Sequence, residues 1–495
     1  VTRDLPVALA SRGCEVAVLI PSYGRFAQQP GAKRLGEVAV AFAGAELKAG
    51  IYELPSVTTG VRHFVVDHAQ FAPHGPGLIY THDSSQGPFA TDANKFALFC
   101  AAAAAALLKN LLPPADVVHL HDWPAAFFLL LRAYDPKFAA LRKIRTVVTI
   151  HNLAMQGVRP LRGFESALES WFPALRYDPA VVTDPRWRDC VNPLAAGIRL
   201  ADAVNTVSPS YAREILQPSD PDRGFWGGEG LEADLANADA AGKLGGILNG
   251  CTYPADSRPP PAWQEVLAAL RAAVGQWIAA ESRLASAHYL ADKTLAKLTD
   301  DPPSVILTSI GRVTDQKIRL FREPAANSES ALDAIVAGIG PSGLMVAVGS
   351  GDGEYERFLG AVAGRHDRFL YLNGYSDRVA DVLYRGGDLF LMPSSFEPCG
   401  ISQMLAMRAG QPCVVHGVGG LRDTVIDGKN GFVFDGNSQS AQAEAFVGRV
   451  ADALALRAND PDGWKRVGKA AASARFSWDE SADAYEKKLY GFDRN

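Results

Sequence analysis

The stretch SSFEPCGISQMLAMRAGQP, residues 394–412, sets one carboxylate, Glu397, between an apolar run and a Pro-Cys-Gly turn, with an unbroken helix-like segment behind it. Pro398 and Gly400 permit a sharp turn and a close backbone approach. The amides of Gly400, Ile401 and Ser402 then stand at a helix start, where N–H groups lack intrahelical partners and are open to polar ligand atoms. An acid there can position a ligand, or it can be only a first-turn charge favoured by the helix dipole. In IGRVTDQKI, Arg312 and Lys317 follow a strand-like run. Arg offers phosphate oxygens a planar fork and Lys a mobile point charge, so the pair could hold a diphosphate and stabilise charge leaving a sugar. Basic residues after strands are also commonly just solvated. HGVGGLRDTV supplies Gly419 and Gly420, whose bare backbone could meet a phosphate; GSGDG at 349–353 reads as a turn. In the first half, HLHDWPA and IHNLAMQG each set a His beside a polar partner. His119 reads as packed within its strand. Asp122 and His151 fall at strand ends, where a sugar's hydroxyls could be met. No third residue completes a metal-ligand spacing, and neither a G-x-S-x-G elbow nor a G-x-x-x-x-G-K-[ST] loop is present.

These groups need elements to position them. Short β-branched runs alternate with longer Ala/Leu-rich segments, the pattern of strands and helices in α/β layers. CEVAVLIP, ADVVHLHD, RTVVTIHN and DAVNTVSP are strands of the first half; SVILTSIGRV, LMVAVGSG, RFLYLNGY, DLFLMPSS and QPCVVHGV are strands of the second. Their continuous hydrophobicity is that of parallel strands buried on both faces. His121-Asp122, His151-Asn152, Ser208-Pro209, Arg312, Ser350 and Glu397 cluster just beyond their C-terminal ends, the edge at which open parallel sheets bind ligands. The predicted architecture is two Rossmann-like domains, 1–255 and 303–475, with parallel sheets facing across a deep cleft. A helical linker at 256–302 joins them, and a terminal helix at 476–495, capped by Ser477, packs back on the first domain.

Composition bounds the function. A chain of 495 residues is too long for one core. It is 48% hydrophobic with net charge −5 and mean hydropathy −0.01, an ordinary globular balance without the basic excess of nucleic-acid binders. Cys14, Cys100, Cys190, Cys251, Cys399 and Cys413 are scattered, which suits reduced thiols. The run FALFCAAAAAALL, residues 96–108, reads as a buried helix too short to span a bilayer. With no signal peptide, a cytoplasmic or plastid-like location is expected.

Taken together the segments are more specific than apart. LHDWPAA, TIHNLAMQGV, AGIRLADAVNTVSPSYAREI, GGILNG, FLMPS, SSFEPCGISQ and GGLRDTV, in this order, closely resemble bacterial glycogen synthases and plant starch synthases, over essentially the whole chain. Leu405 stands where related sucrose and trehalose enzymes carry a second Glu, which favours the glycogen/starch branch. The resemblance implies a GT-B fold and a retaining, metal-independent transfer of glucose from ADP-glucose to the non-reducing end of an α-1,4-glucan, with no cofactor. It implies that Arg312 and Lys317 bind the diphosphate and that Glu397, with the amides around Cys399 and Gly400, holds glucose hydroxyls. His151 would lie beside the anomeric carbon, Asp122 would orient donor or acceptor, Asn249 would touch the sugar, and Tyr375 would flank the base. Ser402, Gly419, Gly420 and Leu421 complete the implied donor site. The expected partners are therefore the nucleotide sugar and the glucan, with no nucleic acid and no membrane. A retaining GT-B glucosyltransferase using UDP-glucose or another acceptor, and a catalytically weakened glucan-binding protein, are the alternatives. The departures are Ile318 where the family has Gly, Ala195 for a common Lys, and NGCTYPADSRP without the usual Asp and Trp. The family's first strand and its Lys-x-Gly-Gly-Leu loop precede the helix in which Val1 falls, so the natural reading frame is expected to encode roughly 20 further residues.

Overall fold

Every run read from the sequence as a strand forms one in the computed structural model, which describes residues 2–56, 58–81, 83–84, 87–254, 258–281 and 284–492. The chain divides into two units, one made of Val1–Ser219, Gly227–Gly250 and Trp478–Asn495, the other of Asp220–Trp226 and Cys251–Ser477. Val1, the expected boundary at 255/256 and residues 493–495 lie outside the described residues.

The first unit holds two four-stranded sheets. One is formed by β1 (Val16–Pro21), β2 (Lys33–Phe42), β3 (Ala45–Leu54) and β4 (Val61–Asp67) in the order β1-β4-β3-β2. Only β1 and β4 run parallel; β2, β3 and β4 form an antiparallel meander, so the expectation of parallel sheets is corrected here. The cause is legible locally. Residues of β2 alternate between exposed and buried towards Phe42, as in a sheet with one covered face. Ala43 and Gly44 then take φ of 52° and 75°, the double left-handed turn that matches strand twist in a two-residue hairpin. The other sheet is parallel throughout. It comprises β5 (Val117–His121), β6 (Arg145–Ile150), β7 (Ala203–Thr206) and β8 (Leu244–Gly246), in the order β8-β7-β6-β5.

Both sheets lie between the same two apolar clusters. Leu19 of β1 and Val118 of β5 pack on one, while Val16 and Val117 pack on the other. The first cluster contains the helix Ala90–Leu108, whose alanines are nearly all buried. At 19 residues this helix is long and apolar enough to cross a membrane by length and composition, unlike the shorter run read from sequence, yet most of it is buried inside this unit. The second cluster is closed by the C-terminal helix Trp478–Ala484 and the π-helical turn Tyr485–Tyr490, whose Trp478, Ala482, Tyr485 and Leu489 face Val147, Ala203 and Ile247. Arg12 fixes that helix from outside, pairing with Asp479 at 3.1 Å, Asp483 at 2.6 Å and Glu486 at 2.8 Å.

The second unit is a six-stranded parallel sheet: β9 (Ile306–Ile310), β10 (Leu344–Val348), β11 (Phe369–Leu372), β12 (Leu389–Met392), β13 (Cys413–His416) and β14 (Phe432–Phe434), ordered β11-β10-β9-β12-β13-β14. Every pairing is parallel. The order reverses between β9 and β12, and this switch point is where such sheets leave a crevice beyond their strand ends. The segment expected as a linker is two helices, Trp263–Ala280 and Ser286–Lys297, whose Val266, Leu270, Val274 and Leu295 are part of this unit's core.

Candidate functional site

In the second unit the switch point brings the sequence-singled residues together. Arg312 follows β9; it is exposed and has no ion-pair partner among the described residues. Lys317 lies in the first turns of the helix Asp315–Arg322 and donates to Glu397 Oε2, which also accepts from Ser394 Oγ at 3.1 Å. Glu397 is 7% exposed. Two bonds lock that helix to the loop after β12: Ser395 N donates to the Gln316 carbonyl at 2.8 Å, and Gln316 Nε2 to the Phe396 carbonyl at 2.8 Å. The Thr314 hydroxyl nearby is buried without a partner among the described residues. A small cavity of about 30 Å³ opens beside Arg312 and Lys317.

Beyond Glu397 the chain turns at Gly400 (φ 74°) into the helix Ser402–Arg408. The amides of Gly400 and Ile401 have no hydrogen-bond partner among the described residues. Gly419 and Gly420 open the helix Gly419–Thr424, and Gly420 N donates to the Glu397 carbonyl at 3.0 Å. A Cβ on Gly420 would fall 2.2 Å from the Cys399 carbonyl oxygen, so only glycine lets these two backbone turns touch. Leu421 and Cys399 are buried beneath them. Tyr375, just past β11, is 65% exposed, its hydroxyl donating to Asp377. Ile318 is buried in the core under this site.

The first unit gathers another set. Asp122 begins the helix Asp122–Tyr134 with φ of 56° and accepts from the His151 amide at 2.7 Å. Burial raises its pKa to about 7 against the opposing pull of the His151 and Asn152 amides. His151, directly after β6, bonds through Nε2 to Nδ1 of His121 at 3.0 Å. Burial lowers His151 to about 4 and His121 well below its ordinary value, so both rings are neutral at pH 7 and one donates to the other. His119 is not merely packed: it bonds Tyr490 Oη at 2.9 Å and Thr149 Oγ1 at 2.7 Å, and its ring centroid lies 4.3 Å from that of His121. The sequence reading placed His121 at a strand end without a role. Its alternation with His119 across one residue was the available signal, since the two share a sheet face. Asn249 follows β8 and is buried, with its side-chain Oδ1 unpaired among the described residues. Its seat is set by Gly250, where a Cβ would lie 2.5 Å from the Trp478 nitrogen.

The arrangement supplies unpaired cationic and amide donors at a sheet switch point in one unit, and neutral imidazoles, a carboxyl and an unpaired amide oxygen at strand ends in the other. Comparison with known proteins bears on what these serve. Residues 1–237 match the starch synthase catalytic domain family, and residues 306–465 match the glycosyl transferases group 1 family. A glycogen synthase of Anaeromyxobacter sp. (strain Fw109-5) is 34% identical, over 98% of this chain and 94% of its own. One from Paracidovorax citrulli is 32% identical, over 100% of this chain and 91% of its own. Among solved structures, the catalytic domain of starch synthase IV from Arabidopsis thaliana, bound to ADP and acarbose, aligns with a TM-score of 0.74 at 26% identity, covering 98% of this chain and 94% of that one.

Proposed function

The chain belongs to the glycogen and starch synthase family of glycosyltransferases, and from that premise we propose that it transfers glucose from ADP-glucose to the non-reducing end of an α-1,4-glucan with retention of configuration. One observation carries the reading: a buried acid, Glu397, sits beside Lys317 and a free Arg312 at the switch point of the second unit's parallel sheet. The chemistry follows from those groups. Arg312 and Lys317 take the diphosphate, and as the glycosidic bond to phosphate lengthens they stabilise the charge that builds on the leaving oxygen. They supply the positive charge that other transferases draw from a cation, so the reading needs no metal and no cofactor. Glu397 and the open amides of Gly400 and Ile401 hold glucose hydroxyls, and Gly419, Gly420 and Ser402 line the phosphate side. Tyr375 flanks the base. His151 meets the sugar near its anomeric carbon with a neutral ring oriented by His121; Asp122 and Asn249 orient the sugars. The departing phosphate oxygen accepts the acceptor hydroxyl's proton, so no separate base is required. This reading places the enzyme in the cytoplasm, or in a plastid.

Incorporation of radiolabelled glucose into glycogen from ADP-glucose and, separately, from UDP-glucose tests this. Label from ADP-glucose alone is expected. Label from UDP-glucose instead reassigns the donor; label from neither leaves a glucan-binding protein.

A further inference from the structure

The chain makes an excursion that the chemistry above does not use. Asp220–Trp226 belongs to the second unit, although the residues on both sides of it belong to the first. The segment is a closed loop. Asp220 and Phe225 exchange backbone hydrogen bonds of 2.9 Å in both directions, and the turn Pro221–Arg223 between them ends on Gly224 at φ 63°. The Asp220 carboxylate caps that turn by accepting from the Arg223 amide at 3.2 Å.

Two glutamines of the helix Gln439–Asn459 fasten the loop. Gln439 Nε2 donates to the Pro221 carbonyl at 3.2 Å, and Gln442 Nε2 to the Arg223 carbonyl at 3.2 Å. Gln442 is buried, and a Cβ on Gly224 would stand 3.0 Å from its Oε1, so the loop lies flush on that helix. The same helix also holds the helix of Lys317, through Phe446, whose ring centroid is 5.4 Å from that of Phe321. From this seat the loop presents Trp226. Its ring centroid lies 5.9 Å from that of Phe396, and the Arg319 guanidinium carbon lies 5.2 Å from its centroid. Phe396 immediately precedes Glu397, and Arg319 stands two residues beyond Lys317 on the same helix. Arg319 is itself held, since its Nε donates to Asp315 at 3.1 Å and the Tyr355 hydroxyl donates to the same carboxylate. The indole therefore meets both segments that carry the charged pair.

Gln316 already ties those segments together at Ser395 and Phe396. Trp226 ties them a second time, through Arg319, about one helical turn further along. One tie fixes a distance; two ties a turn apart also fix the angle at which the helix meets the loop. Both contacts of the indole are directional, because a ring pair and a cation over a ring each prefer a set geometry. We propose that Trp226 is a positioning residue that, acting through Arg319 and Phe396, holds Lys317 and Glu397 at the spacing that receives the donor's diphosphate and sugar. The roles of Lys317 and Glu397 rest on the proposed function; the bridge between their segments rests on the geometry alone. Charged groups that act together lose much of their effect when displaced by a fraction of an ångström, so the bridge bears on turnover more than on folding.

Three variants test it. Trp226→Ala removes the ring, Trp226→Phe keeps an aromatic face towards both neighbours, and Gln442→Met loosens the loop's seat while leaving the ring in place. Initial rates with ADP-glucose and glycogen separate kcat from KM, calorimetric titration with ADP reads the diphosphate site without transfer, and both are made well below each variant's melting temperature. Trp226→Ala is expected to lower kcat about tenfold and to weaken ADP about three- to tenfold. Trp226→Phe should return both to near the parent's values, and Gln442→Met should fall between. If Trp226→Ala does not fold, Gln442→Met carries the same comparison. A lowered melting temperature with the parent's kcat and ADP affinity overturns the proposal, as does a Trp226→Phe variant as impaired as Trp226→Ala. If the unsubstituted protein transfers no glucose, yet its ADP affinity depends on Trp226 in this way, the positioning role stands and the proposed transferase activity falls. A protein that neither transfers glucose nor binds ADP overturns both.

Discussion

Lys317→Gln separates two jobs that one side chain holds. Lys317 is paired with Glu397, with side-chain exposures of 19% and 9% for the two residues. Removing one member of a fully buried pair costs ~3–5 kcal/mol. Here water reaches the lysine end and Ser394 still donates to the carboxylate, so a smaller cost of ~1–3 kcal/mol is expected. At ~2–4 °C per kcal/mol for a unit of this size, the second unit's transition should fall by ~2–12 °C. The double variant Lys317→Gln/Glu397→Gln leaves no uncompensated charge and should recover most of that loss. Activity behaves differently. If Lys317 stabilises the departing diphosphate, its loss costs ~2.7–4 kcal/mol in the transition state, ~10²–10³ in turnover, and kcat falls more than KM for ADP-glucose rises. The double variant should recover stability without recovering kcat. Calorimetry and initial-rate incorporation into glycogen read the two quantities. A single variant with kcat within threefold of the parent, or a double variant whose activity returns with its stability, refutes the phosphate role and leaves Lys317 a structural counterion.

Gly420→Ala places a methyl 2.2 Å from the Cys399 carbonyl oxygen, so the turns after β12 and β13 must part; a destabilisation of ~1–3 kcal/mol and a severe fall in kcat are expected, and unfolding plus rate measurements check both. Tyr490→Phe leaves the imidazole nitrogen of His119 buried without its partner, which should lower stability by ~1–3 kcal/mol in urea unfolding. Acid should loosen the first unit early. His119 (about 3), His121 and His151 (about 4) have folded pKa values below the usual ~6.5, so below pH ~6.5 the unfolded chain binds more protons and stability falls down to pH ~4. Asp122, raised to about 7, binds its proton in the folded state and opposes one of those three, leaving a net slope of at most ~2.7 kcal/mol per pH unit. Melting temperatures that stay flat from pH 7 to 5 would contradict the neutral histidine cluster.

Why some of this was readable in the sequence and some was not has a physical basis. Strands buried on both faces announce themselves as continuous apolar runs, and polar residues just past them mark a sheet's ligand edge; Arg312, Glu397, Asp122 and His151 all stand beyond the C-terminal ends of such strands. The meander of β2 to β4 escaped because one-sided strands alternate, and EVAVAF looks weakly apolar unless read with a period of two. The helices at 263–297 read as a connector in sequence because amphipathic periodicity reveals an apolar face but not which core it covers. Tyr490 and His119 meet across 371 positions, and no local pattern signals such a bond. A cavity beside Phe164 is invisible for the same reason: its lining comes from the β2–β3 turn, the segment after β4 at Gln70 and Pro73, the helix Ala90–Leu108 and the loop before Trp171.

The place of Trp478–Tyr490 in the first unit also constrains how the protein is made. Its sockets at Val147, Ala203 and Ile247 exist once residue 250 has left the ribosome, yet the side chains that fill them come roughly 230 residues later, a wait of ~10–45 s at ~5–20 residues per second. During that interval the nascent chain carries an uncovered apolar face and a His119 whose Tyr490 partner has not been made. Translation that stops anywhere within the second unit therefore releases a first unit that cannot finish folding, and such fragments are natural clients for chaperones and proteases.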